Sequence, residues 1–235
     1  MFPAVGHLLG GLFRTSKEKL KKIIFFELFY RAFDGILLLC NCVLPETKGI
    51  NRMINGTKLF SAEEISGAVT KIAEAIGAEF KGDFKECALV GLHQQGVPLS
   101  VMICKELEKK YGSAPVLGKL DISMYRDDIG NNKRLPPIRE TEIPFDVNGS
   151  SIILVDDVLS TGRTIRAALD ALTDYGRAGL IRLAVLVDRG SLEFPIRADY
   201  VGLHAAPPAD QKVVVRFEED GEPGIYAVKW ENYNL

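Results

Sequence analysis

The sequence predicts an α/β fold, with a largely parallel central sheet flanked by helices. Three observations predict it. From residue 57 onward, short runs rich in β-branched residues alternate with stretches whose apolar residues recur at helical spacing. The runs are apolar throughout, as strands covered on both faces are. With 47% apolar and 26% charged residues the chain has a globular composition, and no apolar run reaches the roughly 20 residues of a membrane helix.

The elements follow in order. Ser61-Ala62-Glu63-Glu64 is a capping box opening a helix through about Phe80, with Ile65, Val69, Ile72 and Ile76 on one face. Cys87 to Leu92 reads as a short buried strand, and Val97 to Tyr111 as a second helix with Leu99, Ile103 and Leu107 inward. Val116 to Met124 alternates like a strand. Residues 126–149 are polar, carry three prolines and read as a long mobile loop. Ser151 to Val155 is a strand, Arg163 to Tyr175 a helix ending near Gly176, and Leu180 to Val187 another strand. Tyr200 to Gly202 and Val213 to Val215 are shorter strands, and Ile225 to Trp230 reads as part of an edge hairpin. Strand–helix alternation implies right-handed crossovers, and in such sheets ligands bind beyond the carboxyl ends of the strands.

The formal charge of −2 conceals an asymmetry. Residues 1–52 hold eight Lys/Arg against four Asp/Glu, whereas residues 53–235 hold 21 against 27. The acidic body lacks the broad basic surface of a generic nucleic-acid binder. Residues 1–52 form an atypical extension: a basic cluster from Arg14 to Lys22, then two apolar runs interrupted by Glu27, Arg31 and Asp34. It reads as a targeting or membrane-surface segment, a partner-binding appendage, or sequence upstream of a start at Met53, the last being favoured. The charges and cleavage site of a secretory signal are absent. Cys40, Cys42, Cys87 and Cys104 form no C-x-x-C, and His7, His93 and His204 have no zinc spacing, so reduced thiols in a cytoplasmic protein are expected.

The chemistry concentrates in Ile152 to Thr164, I-I-L-V-D-D-V-L-S-T-G-R-T. A helix N-terminus presents unpaired N–H groups and partial positive charge, which suits a phosphate. Ser160, Thr161 and Thr164 add hydroxyls, Gly162 permits close backbone approach, and Arg163 adds charge. Asp156 and Asp157 suit sugar hydroxyls or a hydrated Mg²⁺. No Walker loop and no G-x-G-x-x-G is present.

This loop resembles the phosphoribosyl diphosphate (PRPP) signature of type I phosphoribosyltransferases. The resemblance runs from about Leu59 to Val215 and is strongest to the pyrimidine-operon attenuation regulator and uracil phosphoribosyltransferase family, PyrR. It is carried by D-I-S-M-Y-R-D-D at 121–128, Gly176-Arg177, L-A-V-L-V-D-R-G at 183–190 and P-I-R-A-D-Y-V-G at 195–202. A chain starting at Met53 has 183 residues, the family's usual size. The resemblance implies a parallel sheet with flanking helices and a small hood, spanning residues 53–235. It implies that Asp156 and Asp157 hold the ribose hydroxyls, and Mg²⁺ through water or those hydroxyls. It places the 5-phosphate on Ser160, Thr161, Gly162, Arg163 and Thr164. Leu92, His93, Gln94, Gln95 and Gly96 would form the diphosphate loop, and Val187, Asp188 and Arg189 would lie beside the base in the hood. Tyr125-Arg126 would belong to a flexible lid, with Arg126 completing a catalytic set with the two acids. Uracil and PRPP would give UMP and diphosphate in a homodimer or higher oligomer, with no membrane association.

Two departures qualify this. Where the family's diphosphate loop commonly ends Thr-Arg-Gly, this chain has Gln94-Gln95-Gly96. Glutamine brings hydrogen bonds but no charge, so weak use of PRPP is expected. Ser191-Leu192 and Leu203 stand where the family usually has basic residues, and Ser66 and Gly67 likewise on the first helix. These losses disfavour attenuator RNA binding, which depends on Lys/Arg contacts to phosphate. An RNA-binding attenuator sensing UMP and a transferase for another base remain the alternatives. Tyr125, Phe194 and Trp230 are candidates for stacking on the base, each with ordinary packing as the plainer reading.

Overall fold

The computed structural model describes residues 56–127, 139–217 and 223–233. Residues 1–52, and with them Cys40 and Cys42, lie outside the described residues, as does 128–138 of the long loop. The chain runs β1 (Gly56–Phe60), α1 (Ala62–Glu79), β2 (Cys87–Leu92), α2 (Gly96–Tyr111), β3 (Val116–Leu120) and β4 (Ser151–Leu159). Then come α3 (Arg163–Thr173), β5 (Leu180–Asp188), β6 (Tyr200–His204), β7 (Gln211–Arg216), β8 (Gly224–Lys229) and α4 (Trp230–Tyr233).

The capping box is present as read. Ser61 Oγ accepts from the Glu64 N–H at 3.3 Å, and Glu64 Oε2 accepts from the Ser61 N–H at 2.9 Å. The apolar faces of α1 and α2 bury Ile72, Ile76, Leu99 and Ile103 against Leu89, Ile153, Val155 and Leu186 on one face of the sheet. The face of α3, with Ile165, Ala168 and Leu172, covers Val90, Ile152, Leu154 and Val185 on the other. Both faces are covered, which is why the strands read as continuous apolar runs. The sheet order is β3-β2-β4-β5-β6, and its pairings are parallel. β2, β4 and β5 therefore lie inside it, with their carboxyl ends side by side.

Several expectations are corrected. β3 stops at Leu120 because Asp121 turns the chain: its Oδ1 accepts from the Ser123 N–H at 2.8 Å and the Ser123 hydroxyl at 2.6 Å. The end of the long loop is anchored, since Glu142 bridges to Lys119 and Val147 is 1% exposed. β4 continues past Val155 to Leu159, so the two acids lie within a strand, and α3 ends at Thr173. Gly56–Phe60, not anticipated as a strand, pairs with β8. β8 is the centre of an antiparallel three-stranded sheet β1-β8-β7, not its edge. Its apolar run reflects that burial. Val213, Val215 and Ile225 join the α1–α2 core, and β7 lies against β4, so this small sheet stands as a hood beside the acids.

Candidate active site

The alternation of β4 reverses at the acids. Ile153 and Val155 pack in the α1–α2 core and Ile152 and Leu154 against α3, yet beyond Asp157 it is Val158 that packs with the first layer and Leu159 with the second. At the break the acids bond their own backbone. Asp156 Oδ1 accepts from the Asp157 N–H at 3.1 Å, and Asp157 Oδ1 from the Val158 N–H at 2.9 Å. Asp156 is 6% exposed. Burial, then the charge of Asp157, raises its carboxyl well above the usual carboxylate range, while the Arg126 guanidinium opposes this. Burial also raises Asp157, against the Val158 N–H and the Lys212 charge. Such a pair gains from any ligand that brings hydroxyl donors or positive charge.

Beyond β4 the chain turns through Gly162 at φ +90°, a left-handed conformation that favours glycine, and enters α3. A side chain at this position would also stand 3.3 Å from Phe194 Cβ. Gly162 at the N-cap position offers no side chain to the first turn, and the Arg163 N–H donates to Thr161 Oγ1 at 3.4 Å. The segment after β5 braces the turn from outside. Thr161 O accepts from the Glu193 and Phe194 N–H groups at 2.9 and 3.1 Å, and the hydroxyls of Ser160 and Ser191 are 3.2 Å apart.

The β2–α2 loop is pressed onto the same strand. A Cβ on Gly96 would lie 2.3 Å from the Val155 carbonyl oxygen and 3.3 Å from Asp156 Cα, so only glycine brings the loop this close. The His93–Gln94 peptide is cis. The His93 N–H donates to Leu120 O at 3.1 Å, and its Nε2 lies 3.1 Å from Glu140 O. From across the site, Arg126 donates to Thr164 Oγ1 at 3.1 Å.

The acids, the Ser160–Thr164 turn, the loop at His93–Gly96 and Arg126 thus converge at the carboxyl ends of β2 and β4. Three expected residues are placed differently. Leu92 is fully buried in the core, so its side chain is structural. Val187 is fully buried in β5 within the central sheet, not in the hood; Asp188 and Arg189 follow at the strand's end, where Asp188 accepts from the Gly190 N–H. The Arg163 guanidinium turns to acids: it pairs with Asp127 Oδ2 at 2.9 Å and Glu193 Oε2 at 2.6 Å, 5.3 Å above the Phe194 ring. Its backbone N–H stays with the turn. Sequence reasoning passed over Lys212, whose charge reaches Asp157 from the hood, because nothing in a β-strand lysine marks what it faces. A cavity of about 150 Å³ at the β3 edge, lined among others by Asp121, Tyr125 and Arg139, lies apart from the turn and the acids.

The phosphoribosyl transferase domain family matches residues 56–221, which include every part of this site. The chain belongs to that family, on its PyrR branch. It is 45% identical over 174 residues to the Bifunctional protein PyrR of Roseiflexus sp. (strain RS-1), covering 73% of this chain and 94% of the relative. It is 49% identical over 169 residues to the Bifunctional protein PyrR of Thermus aquaticus, covering 72% and 93%. The fold resembles the crystal structure of the hypoxanthine phosphoribosyltransferase of Trypanosoma cruzi, with a TM-score of 0.56, 18% identity, and 74% and 96% of the two chains covered. This phosphoribosyltransferase therefore keeps the family architecture while carrying Gln94-Gln95 in the loop against β4. Its buried cysteines are bystanders: burial raises the thiols of Cys87 and Cys104 to about 12, leaving them protonated.

Proposed function

We propose that this phosphoribosyltransferase joins uracil to the ribosyl group of PRPP, forming UMP and releasing diphosphate. The observation that carries the PRPP reading is one strand and its turn: two carboxylates in β4, then a helix N-terminus with no side-chain N-cap. The carboxylates address the ribose hydroxyls, and the N–H groups and hydroxyls of 160–164 address the 5-phosphate. Uracil rests on the resemblance of the 121–128 and 183–202 stretches to the PyrR family.

In the reaction the C1–O bond to diphosphate breaks and its electron pair leaves with the diphosphate. The ribose becomes oxocarbenium-like, and the uracil ring nitrogen forms the new C–N bond and loses its proton. The protein positions the partners and stabilises charge. Asp156 and Asp157 hold the sugar and balance its developing positive charge. The His93–Gly96 loop brings Gln94 and Gln95 to the leaving group in place of an arginine, so turnover is expected to be slow. Magnesium fits the same residues. Among the described residues no three His, Cys, Asp or Glu side chains gather into a cage, whereas two adjacent carboxylates suit an ion that keeps waters and substrate oxygens. When bound, Mg²⁺ neutralises the diphosphate charge. None of the described helices is long and apolar enough to cross a membrane, and cytoplasmic action is part of the proposal.

A second reading has its own support, since the curated relatives are named bifunctional. In it the same pocket senses UMP and the protein binds attenuator RNA. The deciding assay offers uracil, hypoxanthine, guanine, adenine and orotate in turn with PRPP and Mg²⁺. Uracil turnover is expected; clear use of a purine without uracil would overturn the base assignment.

A further inference from the structure

Arg126 reaches the phosphate-binding turn from a segment that follows β3, and something must hold it there. The held element is visible one residue further on. Asp127 Oδ2 lies 2.9 Å from an Arg163 nitrogen and 3.2 Å from an Arg166 nitrogen, so one carboxylate oxygen bridges two guanidinium groups. Those groups are themselves fixed. Arg163 is gripped by Glu193 through Nε and a terminal nitrogen at 3.0 and 2.6 Å, and Arg166 pairs with Asp170 at 3.2 Å. Both lie over the same Phe194 ring, 5.3 and 5.8 Å from its centre. On the other side of Arg126, the Tyr125 hydroxyl donates to Asp174 at the end of α3. Residues 125–127 are thus fastened along α3, and Arg126, between the fastenings, donates to Thr164 Oγ1 at 3.1 Å. Its charge also reaches Asp156.

The geometry points to Asp127 as a positioning residue for PRPP: held between Arg163 and Arg166, it keeps Arg126 on the phosphate-binding turn. Without its carboxylate the anion that ties both arginines to residue 127 is gone, and each keeps only its own partner, Glu193 for Arg163 and Asp170 for Arg166. The fastening opens and Arg126 loses its register on Thr164. Arg126 stands on the turn proposed to hold the 5-phosphate, a group present in substrate and transition state alike, so the loss is expected to fall on binding more than on turnover.

This inference rests on the PRPP reading of the site, and the experiment separates the two. Calorimetric titration of PRPP with Mg²⁺ into the full chain needs no knowledge of the base. Asp127→Asn is expected to weaken PRPP about tenfold and Asp127→Glu to recover part of that, with melting temperatures close to the unsubstituted protein's. The double-substitution cycle is decisive. In an Arg126→Ala background, already weak, Asp127→Asn should add less than twofold, whereas a general structural role would cost tenfold in both backgrounds. Unchanged affinity in Asp127→Asn, or equal losses in both backgrounds, would overturn the inference and leave the PRPP reading intact. An unsubstituted protein that fails to bind PRPP would overturn both.

Discussion

Replacing Asp156 by asparagine is expected to stabilise the ligand-free protein while weakening its use of PRPP about 100-fold. Asp156 is 6% exposed, and burial together with Asp157 holds its carboxyl well above the usual range. The folded chain therefore keeps a proton that the unfolded chain releases. This group favours folding at low pH. Its contribution is lost as pH rises from the ordinary value of about 3.9 through the raised one, and above that the fold carries the cost of a buried charge beside a second carboxylate. Each unit of elevation corresponds to about 1.4 kcal/mol, and in a domain of 150–250 residues each kcal/mol moves Tm by about 2–4 °C. Asparagine keeps the shape without the charge, and its amide can donate to Asp157. A Tm higher by about 3 °C or more at pH 7.5 is expected, shrinking as the pH is lowered toward 5. In the same variant kcat/KM for PRPP should fall about 100-fold, the usual scale for losing a charge-bearing partner of the transition state. Scanning calorimetry of the ligand-free protein at both pH values is the assay. An equal or lower Tm at pH 7.5 would refute the reasoning, because the acidic pair would then be an asset to the empty fold.

Three other outcomes are expected. Gly96→Ala places a methyl group 2.3 Å from the Val155 carbonyl oxygen, a backbone atom that cannot step aside, and should destabilise the protein by about 2–3 kcal/mol in urea titration. Gln95→Arg restores a charge to the loop against β4 and should raise kcat/KM for PRPP; no gain would detach the neutral loop from the proposed slow turnover. A pyrimidine-leader RNA hairpin should bind only weakly in a filter assay, since Ser66 and Gly67 lie exposed on α1 and Arg189 is turned to Pro208 O at 3.2 Å. Submicromolar, sequence-dependent binding would favour the regulator reading instead.

By itself the sequence determined the layered fold and the position of its chemistry. Apolar periodicity reports burial, and burial on both faces is the property that makes a parallel sheet, so β2, β5, the apolar first half of β4 and the faces of α1 and α2 were legible, while the acidic end of β4 was not. The D-D-V-L-S-T-G-R-T run was legible because strand, acids, turn and helix N-terminus are neighbours along the chain and act as one unit. What only the tertiary structure decided lies between segments distant in sequence. β8 is apolar because it sits at the centre of the hood, and no local pattern tells a central strand from an edge. Gly96 is required by Val155, 59 positions away, and its absent side chain lets the β2–α2 loop approach the acids. Arg163, a plausible phosphate ligand when read beside Gly162, is claimed by Asp127 and Glu193, 36 and 30 positions away. Charge partnership depends on distance in space, and the linear order of residues carries no record of it.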